Sequence, residues 1–152
     1  MILIEDSRQQ KNKHEIKHSH FDEMGVQLIR NMLPFGDYAV PPKVSVDTKA
    51  NMEEIAHNIG SDHKRFKNEC ILARDAGCQL IILVENTYGI KSVEDVHKWI
   101  NPDLVYRPRS ITGERLQKAM QTMTERYGVR FEFCTPEEAA GRIIELLGGQ
   151  YE

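Results

Sequence analysis

Apolar residues occur along the chain either in short continuous or alternating runs, which are typical of strands, or three to four residues apart, which is typical of helices. The order of these patterns predicts strands followed by helices. Strands are predicted at residues 1–4, 35–40, 43–49, 79–85 and 129–134, and helices at 21–32, 51–59, 61–77, 92–99, 113–127 and from 135 onward. Strands alternating with helices are typical of an α/β domain with helices layered on a sheet. The pattern therefore predicts a three-layer α/β domain with an early hairpin.

The early hairpin is predicted by two extended segments that flank Pro41-Pro42. A turn at Pro42 would make Asp37 and Asp47 cross-strand neighbours, with Cβ atoms ~4.5–5.5 Å apart. Two carboxylates at that distance repel each other unless a cation lies between them. Lys49, two residues after Asp47, is predicted on the same face of its strand. The arrangement predicts a hard-metal site with an adjacent lysine.

Mg²⁺, or Mn²⁺ in its place, suits such a site because it binds a few carboxylates and leaves positions open for a phosphate. A metal there would polarise the phosphate and lower the pKa of a bound water. Lys49 would orient or deprotonate that water, or neutralise charge that develops at phosphorus. The simpler interpretation is an exposed edge hairpin whose polar face meets solvent, since Asp-x-Lys alone is a weak motif.

The motifs appear in a recognisable order, from Ile4-Glu5-Asp6-Ser7-Arg8-Gln9 through Gly36-Asp37-Tyr38 to Val46-Asp47-Thr48-Lys49-x-x-x-Glu53. This order resembles the XPF-type nuclease domain of the restriction-endonuclease-like, PD-(D/E)xK superfamily. Arg65-Phe66 and residues 80–85 stand where that family has a basic helix and an apolar strand ending in glutamate. The resemblance covers residues 1–86. It implies a three-layer α/β/α fold with a central mixed sheet and a catalytic hairpin.

The resemblance also assigns roles to individual residues. It implies metal binding by Asp37, Asp47 and Thr48, action on the attacking water by Lys49, and support of the catalytic site by Asp6, Arg8 and Glu53. Contacts with the DNA backbone are implied for Lys64, Arg65 and Lys67. A solvated helix face is the alternative for those three.

Four positions depart from the family's pattern. Gln9 and Asp47 stand in place of glutamates, Thr48 in place of arginine, and Glu53 in place of aspartate. The role of the missing first-strand carboxylate is either lost or taken by Glu5. The tandem helix-hairpin-helix module of eukaryotic and archaeal members does not follow. DNA binding is therefore expected from the nuclease domain alone, from a dimer partner or from other chains.

The resemblance implies a metal-dependent DNA endonuclease that hydrolyses phosphodiester bonds in branched or flapped DNA. The alternative is a non-catalytic, nuclease-like subunit that binds DNA or serves as a scaffold in a repair or recombination complex. The weakened first-strand motif favours that alternative, whereas the retention of Asp37, Asp47 and Lys49 opposes it. A homodimer or a partner subunit is a hypothesis from the family alone.

The chain has 152 residues and a formal net charge of −3, the size and profile of one globular domain over residues 1–152. Positive charge concentrates in residues 7–20 and 107–130, so any nucleic-acid surface is expected to be local. Three cysteines without a Cys-x-x-Cys motif predict reduced thiols and a cytoplasmic location. No membrane span and no signal peptide are predicted.

A competing motif is His14-Glu15-Ile16-Lys17-His18, which matches the His-Glu-x-x-His of zinc peptidases. Those enzymes carry the two histidines on a buried helical face. Here Lys17 is charged and the flanking residues are polar, so a chance match is the better interpretation.

Overall fold

The computed structural model describes residues 1–10 and 13–148, in which six strands are arranged in two three-stranded sheets. Each sheet belongs to its own compact unit. The first unit comprises Met1–Lys43 and Asp75–Cys78, and the second comprises Val44–Arg74 and Gln79–Glu152. Residues 11–12 and 149–152 of the predicted domain lie outside the described residues. That the two units form the single domain predicted over residues 1–152 stays a prediction.

The first unit holds a mixed sheet with the strand order β2-β1-β3. Its elements are β1 (Ile2–Asp6), α1 (Glu15–Glu23), β2 (Gln27–Asn31) and β3 (Tyr38–Ala39). β2 runs parallel to β1, with Arg30 opposite Glu5, and β3 runs antiparallel, with Tyr38 opposite the same glutamate. Glu5 therefore lies at the centre of this sheet, where it is 1% exposed.

The helix predicted over residues 21–32 is wrong beyond Glu23. α1 ends at Glu23, and Gly25 then adopts a φ of 70°, a left-handed conformation that suits glycine and ends the helix. The next five residues form β2, because Leu28 and Ile29 pair with β1. Their spacing fits a helical stripe equally well, and only the partner strand decides between the two.

The second unit holds a parallel sheet with the order β4-β5-β6. Its elements are β4 (Val44–Lys49), α2 (Met52–Ile59), α3 (His63–Asp75), β5 (Gln79–Glu85), 3₁₀ helices at Val93–Lys98 and Pro102–Val105, α4 (Gly113–Tyr127), β6 (Arg130–Cys134) and α5 (Ala139–Leu146). Helical connections between successive strands are what parallel pairing requires. The predicted strands and α-helices of this unit are confirmed to within a few residues. The helix predicted at 92–99 is a 3₁₀ helix, and the 3₁₀ helix at Pro102–Val105 is not among the predicted elements.

β5 is the centre of the second unit, and both of its faces are covered. Ile82 and Val84 pack in the main core with Met52 of α2 and Met120 of α4. On the other face Leu83 packs with Cys134 and α5. A continuous apolar strand, rather than an alternating one, is what burial on both faces predicts.

The predicted hairpin between residues 35–40 and 43–49 is not among the strand pairings of the described residues. β3 is only two residues long and pairs with β1, whereas all six residues of β4 pair with β5. The expected cross-strand opposition of Asp37 and Asp47 is therefore not found.

Helix ends in the second unit follow local rules. Asn51 caps α2 by accepting a hydrogen bond from the Glu54 backbone N–H at 2.8 Å, as its position before the helix predicts. At Gly113, where α4 begins, an added Cβ would lie 2.4 Å from the Trp99 carbonyl oxygen. This close approach fixes the start of α4 against the end of the 3₁₀ helix at Val93–Lys98. None of the described helices is long and apolar enough to cross a bilayer.

Candidate active site

Asp47 and Lys49 form an ion pair on one face of β4, with Nζ of the lysine 3.1 Å from Oδ2 of the aspartate. Strand alternation places these two side chains together and turns Val46 to the opposite face, where it packs against the Leu83 cluster. The predicted common face of Asp47 and Lys49 is thus present. Because both groups project from one short strand, strand alternation alone places them on the same face.

The Lys49 amino group is held on a second side by Phe66 of α3. Nζ lies 5.8 Å from the centroid of the Phe66 ring, within range of a cation–π interaction. Phe66 is 3% exposed and Lys49 is 8% exposed, so the ring and most of the lysine stem are buried. The amino group is therefore fixed between a carboxylate and an aromatic face.

Glu69 of α3 is a further acidic neighbour, and the sequence did not single it out. Partial burial raises the pKa of Glu69, and the negative charge of Asp47 and a hydrogen bond with it raise the pKa further. Lys49 and Arg65 oppose that shift. The interactions show that Glu69 belongs to the same electrostatic cluster as the β4 pair.

These groups line a cleft of about 560 Å³ within the second unit. Its lining residues are Asp47, Lys49, Glu54, Asn58, Asp62, Arg65, Phe66 and Glu69. The Oδ1 atom of Asn58 is buried and accepts no hydrogen bond from any described residue. The cleft therefore combines carboxylates, cations and one amide oxygen that lacks a partner.

The donors in the cleft suit a hard divalent cation. Asp47, Glu69 and Asn58 offer oxygen atoms only, and Mg²⁺ binds proteins through one or two carboxylates while keeping several waters. Within residues 1–10 and 13–148, no three His, Cys, Asp or Glu side chains form a group that could hold a metal ion. Asp47, Glu69 and Asn58 are thus the residues of the cleft that would hold such a cation.

Asp6 and Arg8, two other predicted site residues, bind each other in the first unit. Arg8 Nε donates to Asp6 Oδ2 at 2.9 Å, and the backbone N–H of Leu33 donates to Oδ1 at 3.2 Å. Arg8 also donates to the Leu33 carbonyl at 2.7 Å. Burial would raise the pKa of Asp6, but these hydrogen bonds and the guanidinium charge lower it below its usual value. Asp6 is thus engaged in holding the chain around Leu33.

Asp37 is exposed in the loop before β3, and its backbone carbonyl forms hydrogen bonds with other residues of the first unit. That oxygen accepts hydrogen bonds from the Asp6 backbone N–H at 2.8 Å and from Gln9 Nε2 at 3.2 Å. Asp37 belongs to the first unit and Asp47 to the second. Their meeting at one metal stays a prediction.

Glu5 forms a buried charge network with two residues of the same unit. Arg30 Nη1 and His18 Nε2 each lie 2.5 Å from a Glu5 carboxylate oxygen. His18 is the second histidine of the His-Glu-x-x-His motif, and His14 precedes the first residue of α1. This use of His18 supports the interpretation of that motif as a chance match.

Thr48 and Glu53 are placed apart from the cleft lining. Thr48 is exposed, and strand alternation turns it away from its neighbours Asp47 and Lys49. Glu53 accepts a hydrogen bond from the Tyr88 hydroxyl at 2.7 Å. The roles assigned to both by resemblance stay predictions.

The three predicted DNA-contacting residues of α3 point to different surroundings. Arg65 lines the cleft that contains Asp47, whereas Lys67 lines a second cleft beside α4. Lys64 is exposed. The basic stretch is therefore distributed around the helix and does not form one stripe.

The cysteine thiols are protonated at neutral pH. Burial raises the pKa of Cys70 to about 12, with the nearby Glu69 and Asp47 adding to the effect, and burial also raises the pKa of Cys78 and of Cys134. All three are free thiols. A protonated thiol is a poor nucleophile, which supports packing as their role.

Comparison with known proteins gives a family and two solved structures. The model of the ERCC4 domain family matches residues 5–147. XPF from Aeropyrum pernix matches at 22% identity and a TM-score of 0.48, over 97% of this chain and 63% of that chain. XPF from Aeropyrum pernix in complex with DNA matches at 23% identity and a TM-score of 0.47, over 96% and 62%. The chain thus spans less than two thirds of either structure, and no curated protein matches it.

Proposed function

Because the chain belongs to the ERCC4 domain family, we propose that it is a metal-dependent DNA endonuclease that hydrolyses phosphodiester bonds. The observation that carries this proposal is the Asp47–Lys49 pair, fixed on one strand inside an oxygen-lined cleft. Selection of branched or flapped DNA is part of the proposal and rests on the family. Action as a homodimer or with a partner subunit, and in the cytoplasm, rests on the family and the free thiols.

Asp47 is the proposed metal ligand from β4, with Glu69 and Asn58 as oxygen donors in the same cleft. Asp37 is retained as a metal ligand by resemblance alone. Mg²⁺ or Mn²⁺ bound there would polarise a phosphate and lower the pKa of a water. Thr48 is retained as a metal-side residue by resemblance, and Asp6, Arg8 and Glu53 as supporting residues.

Lys49 is the proposed catalytic cation. Its amino group is positioned by Asp47 and Phe66 before any substrate arrives, so little reorganisation is needed when charge develops on the phosphate. A lysine in this position donates hydrogen bonds to an attacking water or to a phosphate oxygen. Arg65, in the same cleft, adds a second positive charge near the reacting group.

A non-catalytic DNA-binding or scaffolding subunit is the second candidate. Two observations favour it: no group of three metal-ligating side chains occurs among the described residues, and the Asp6 carboxylate is engaged by Arg8 and Leu33. Such a subunit would bind DNA through the same basic surfaces without cutting it.

The test is cleavage of end-labelled splayed, flap, four-way and plain duplex DNA with Mg²⁺ or Mn²⁺, with EDTA as the blank. Lys49→Ala is the diagnostic variant, and Lys91→Ala, an exposed lysine outside the cleft, is its control. We expect metal-dependent cutting that falls at least ~10²-fold in Lys49→Ala and stays unchanged in Lys91→Ala. Binding without cutting by the wild type would support the scaffolding subunit and reject the endonuclease.

A further inference from the structure

The basic segment at residues 107–130 has no part in the proposed active site. Several of its residues line another cleft, distinct from the cleft of Asp47. This arginine cleft, of about 720 Å³, lies in the second unit between the end of α2 and the start of α4. Arg107, Arg109 and Arg115 line it together with His57 and His63. Asp103 is the one acidic residue among its lining residues. The cleft is therefore strongly positive in a chain whose net charge is −3.

The three guanidinium groups are available to a ligand. Each of the three arginines is exposed, and none of them forms an ion pair with another described residue. Positive side chains held close together without carboxylate partners repel one another. A protein keeps such a cluster at a cost that a bound polyanion offsets.

The loop that carries Arg107 and Arg109 is organised before a ligand binds. Asn101 is 3% exposed, donates to the Ile111 carbonyl at 3.0 Å and accepts from the Asp103 backbone N–H at 3.0 Å. The backbone N–H of Arg107 donates to the Asp103 carbonyl at 2.7 Å. These hydrogen bonds hold both ends of the loop in place. The loop backbone therefore loses little conformational entropy when a ligand binds.

The positive surface continues along α4. A neighbouring cleft shares His63 and Arg115 with the arginine cleft and adds Lys67, Lys118 and Arg126. From Arg115 to Arg126 the helix rises about 16 Å at ~1.5 Å per residue. One DNA strand carries a phosphate every ~3.4 Å of duplex axis, so this length spans several phosphates. An extended polyanion fits the surface better than a small anion does.

The arginine cleft and the candidate active site are built on the same corner between α2 and α3. His57, Ser61 and His63 line the arginine cleft, whereas Asn58, Asp62 and Arg65 line the cleft of Asp47. Residues that alternate along one short segment thus belong to two clefts. A strand bound at one cleft is within reach of the other.

We propose that the arginine cleft binds the sugar–phosphate backbone of DNA, beside the bond that is cut at the Asp47 cleft. The proposal rests on the proposed function for its substrate, but it makes a separate claim about binding. Guanidinium groups bind phosphate oxygens in a bidentate manner and read no sequence there. The cleft therefore contributes affinity and register and leaves specificity to other features.

The test is the salt dependence of binding to fluorescein-labelled splayed DNA, measured by fluorescence anisotropy in EDTA so that the DNA stays uncut. The variant Arg107→Gln/Arg109→Gln is compared with the control Lys91→Gln/Lys98→Gln. The control also removes two positive charges, but its residues line neither the arginine cleft nor the cleft of Asp47. We expect the arginine variant to bind ~10-fold or more weakly, and its slope of log K against log salt to fall by about 1.4–1.8, two lost phosphate contacts. The lysine variant keeps the wild-type slope.

An arginine variant that binds with the wild-type affinity and slope would overturn the inference, as would an equal loss in the lysine variant. Cleavage in Mg²⁺ separates this failure from failure of the proposed function. A wild type that cuts DNA while the arginine variant binds normally rejects only the arginine cleft. If the wild type binds DNA but never cuts it, and the arginine variant shows the expected smaller salt slope, only the endonuclease proposal is rejected. A wild type that binds no DNA rejects both.

Discussion

The amino group of Lys49 lies 3.1 Å from the carboxylate of Asp47, two residues earlier on the same face of β4. The pair gains a third member in Glu69, whose pKa is raised by burial and by Asp47. Lys49, together with Arg65, thus compensates two carboxylates in a partly enclosed cleft. This balance makes Lys49 important for stability as well as for the proposed chemistry.

Replacing Lys49 by Gln is expected to lower the free energy of unfolding by about 1–3 kcal/mol, because it leaves a partly buried carboxylate without its partner. The double variant Asp47→Asn/Lys49→Gln is expected to recover part of that loss, since neither charge then remains alone. Urea denaturation of the wild type, both single variants and the double variant gives the coupling energy. A coupling energy near zero would show that the 3.1 Å contact contributes nothing.

The lowered pKa of Asp6 is expected to make the free energy of unfolding depend on pH. Its folded-state pKa is lowered from an ordinary value of 3.8, so its contribution is present above that pH and is lost as the pH falls through the lowered folded pKa. We expect Asp6→Asn to be less stable than the wild type at pH 7, and the difference to shrink below pH 3.8. Thermal melts of both proteins across this range measure it. A difference independent of pH would reject the ionic origin.

Much of the second unit could be predicted because its signals are local. The Asn51 cap, the apolar run of β5 and the helical spacing of α4 each lie within a few residues of the element that they specify. Leu28 and Ile29 carry no such signal, since their spacing fits a helix until β1 is present to pair with them.

The difference between local and long-range signals also explains which residues of the candidate site could be predicted from the sequence. Asp47 and Lys49 are two residues apart, so strand alternation predicts their common face. Glu69 reaches Asp47 only through the packing of α3, and no spacing in the sequence relates residues 47 and 69. The hairpin prediction rests on symmetry about Pro42, a local signal, whereas β3 pairs with β1 and β4 pairs with β5, strands that are distant from them in the sequence.

Gly113→Ala tests the close approach at the start of α4. Its Cβ would lie 2.4 Å from the Trp99 carbonyl and 2.7 Å from the Val96 carbonyl, both of them backbone atoms. Relief requires a backbone shift, with an expected loss of about 1–3 kcal/mol. Gln121→Ala, at an exposed position of the same helix, is the control and should change stability by less than about 0.5 kcal/mol. Equal stability of the two variants would contradict the packing argument.

Glu53 is held by the Tyr88 hydroxyl and does not line the Asp47 cleft. Glu53→Gln is therefore expected to keep most of the cleavage rate, in contrast to Lys49→Ala. Tyr88→Phe should cost about 0.5 kcal/mol of stability, the low end for one hydrogen bond, because the pair is exposed. Cleavage rates for Glu53→Gln and a urea titration for Tyr88→Phe provide the check. A loss of cleavage in Glu53→Gln as large as that in Lys49→Ala would contradict this expectation and assign Glu53 more than a supporting role.

Single-turnover cleavage of flap DNA in Mg²⁺ is the most direct test of the proposal that Asp47 belongs to a catalytic metal site. Asp47→Asn keeps the shape of the side chain and removes its charge, and Asp95→Asn serves as a control outside the cleft. We expect cleavage by the wild type and by Asp95→Asn, and a rate at least ~10²-fold lower in Asp47→Asn. Cleavage by Asp47→Asn at the wild-type rate, with both proteins equally folded by circular dichroism, would contradict it.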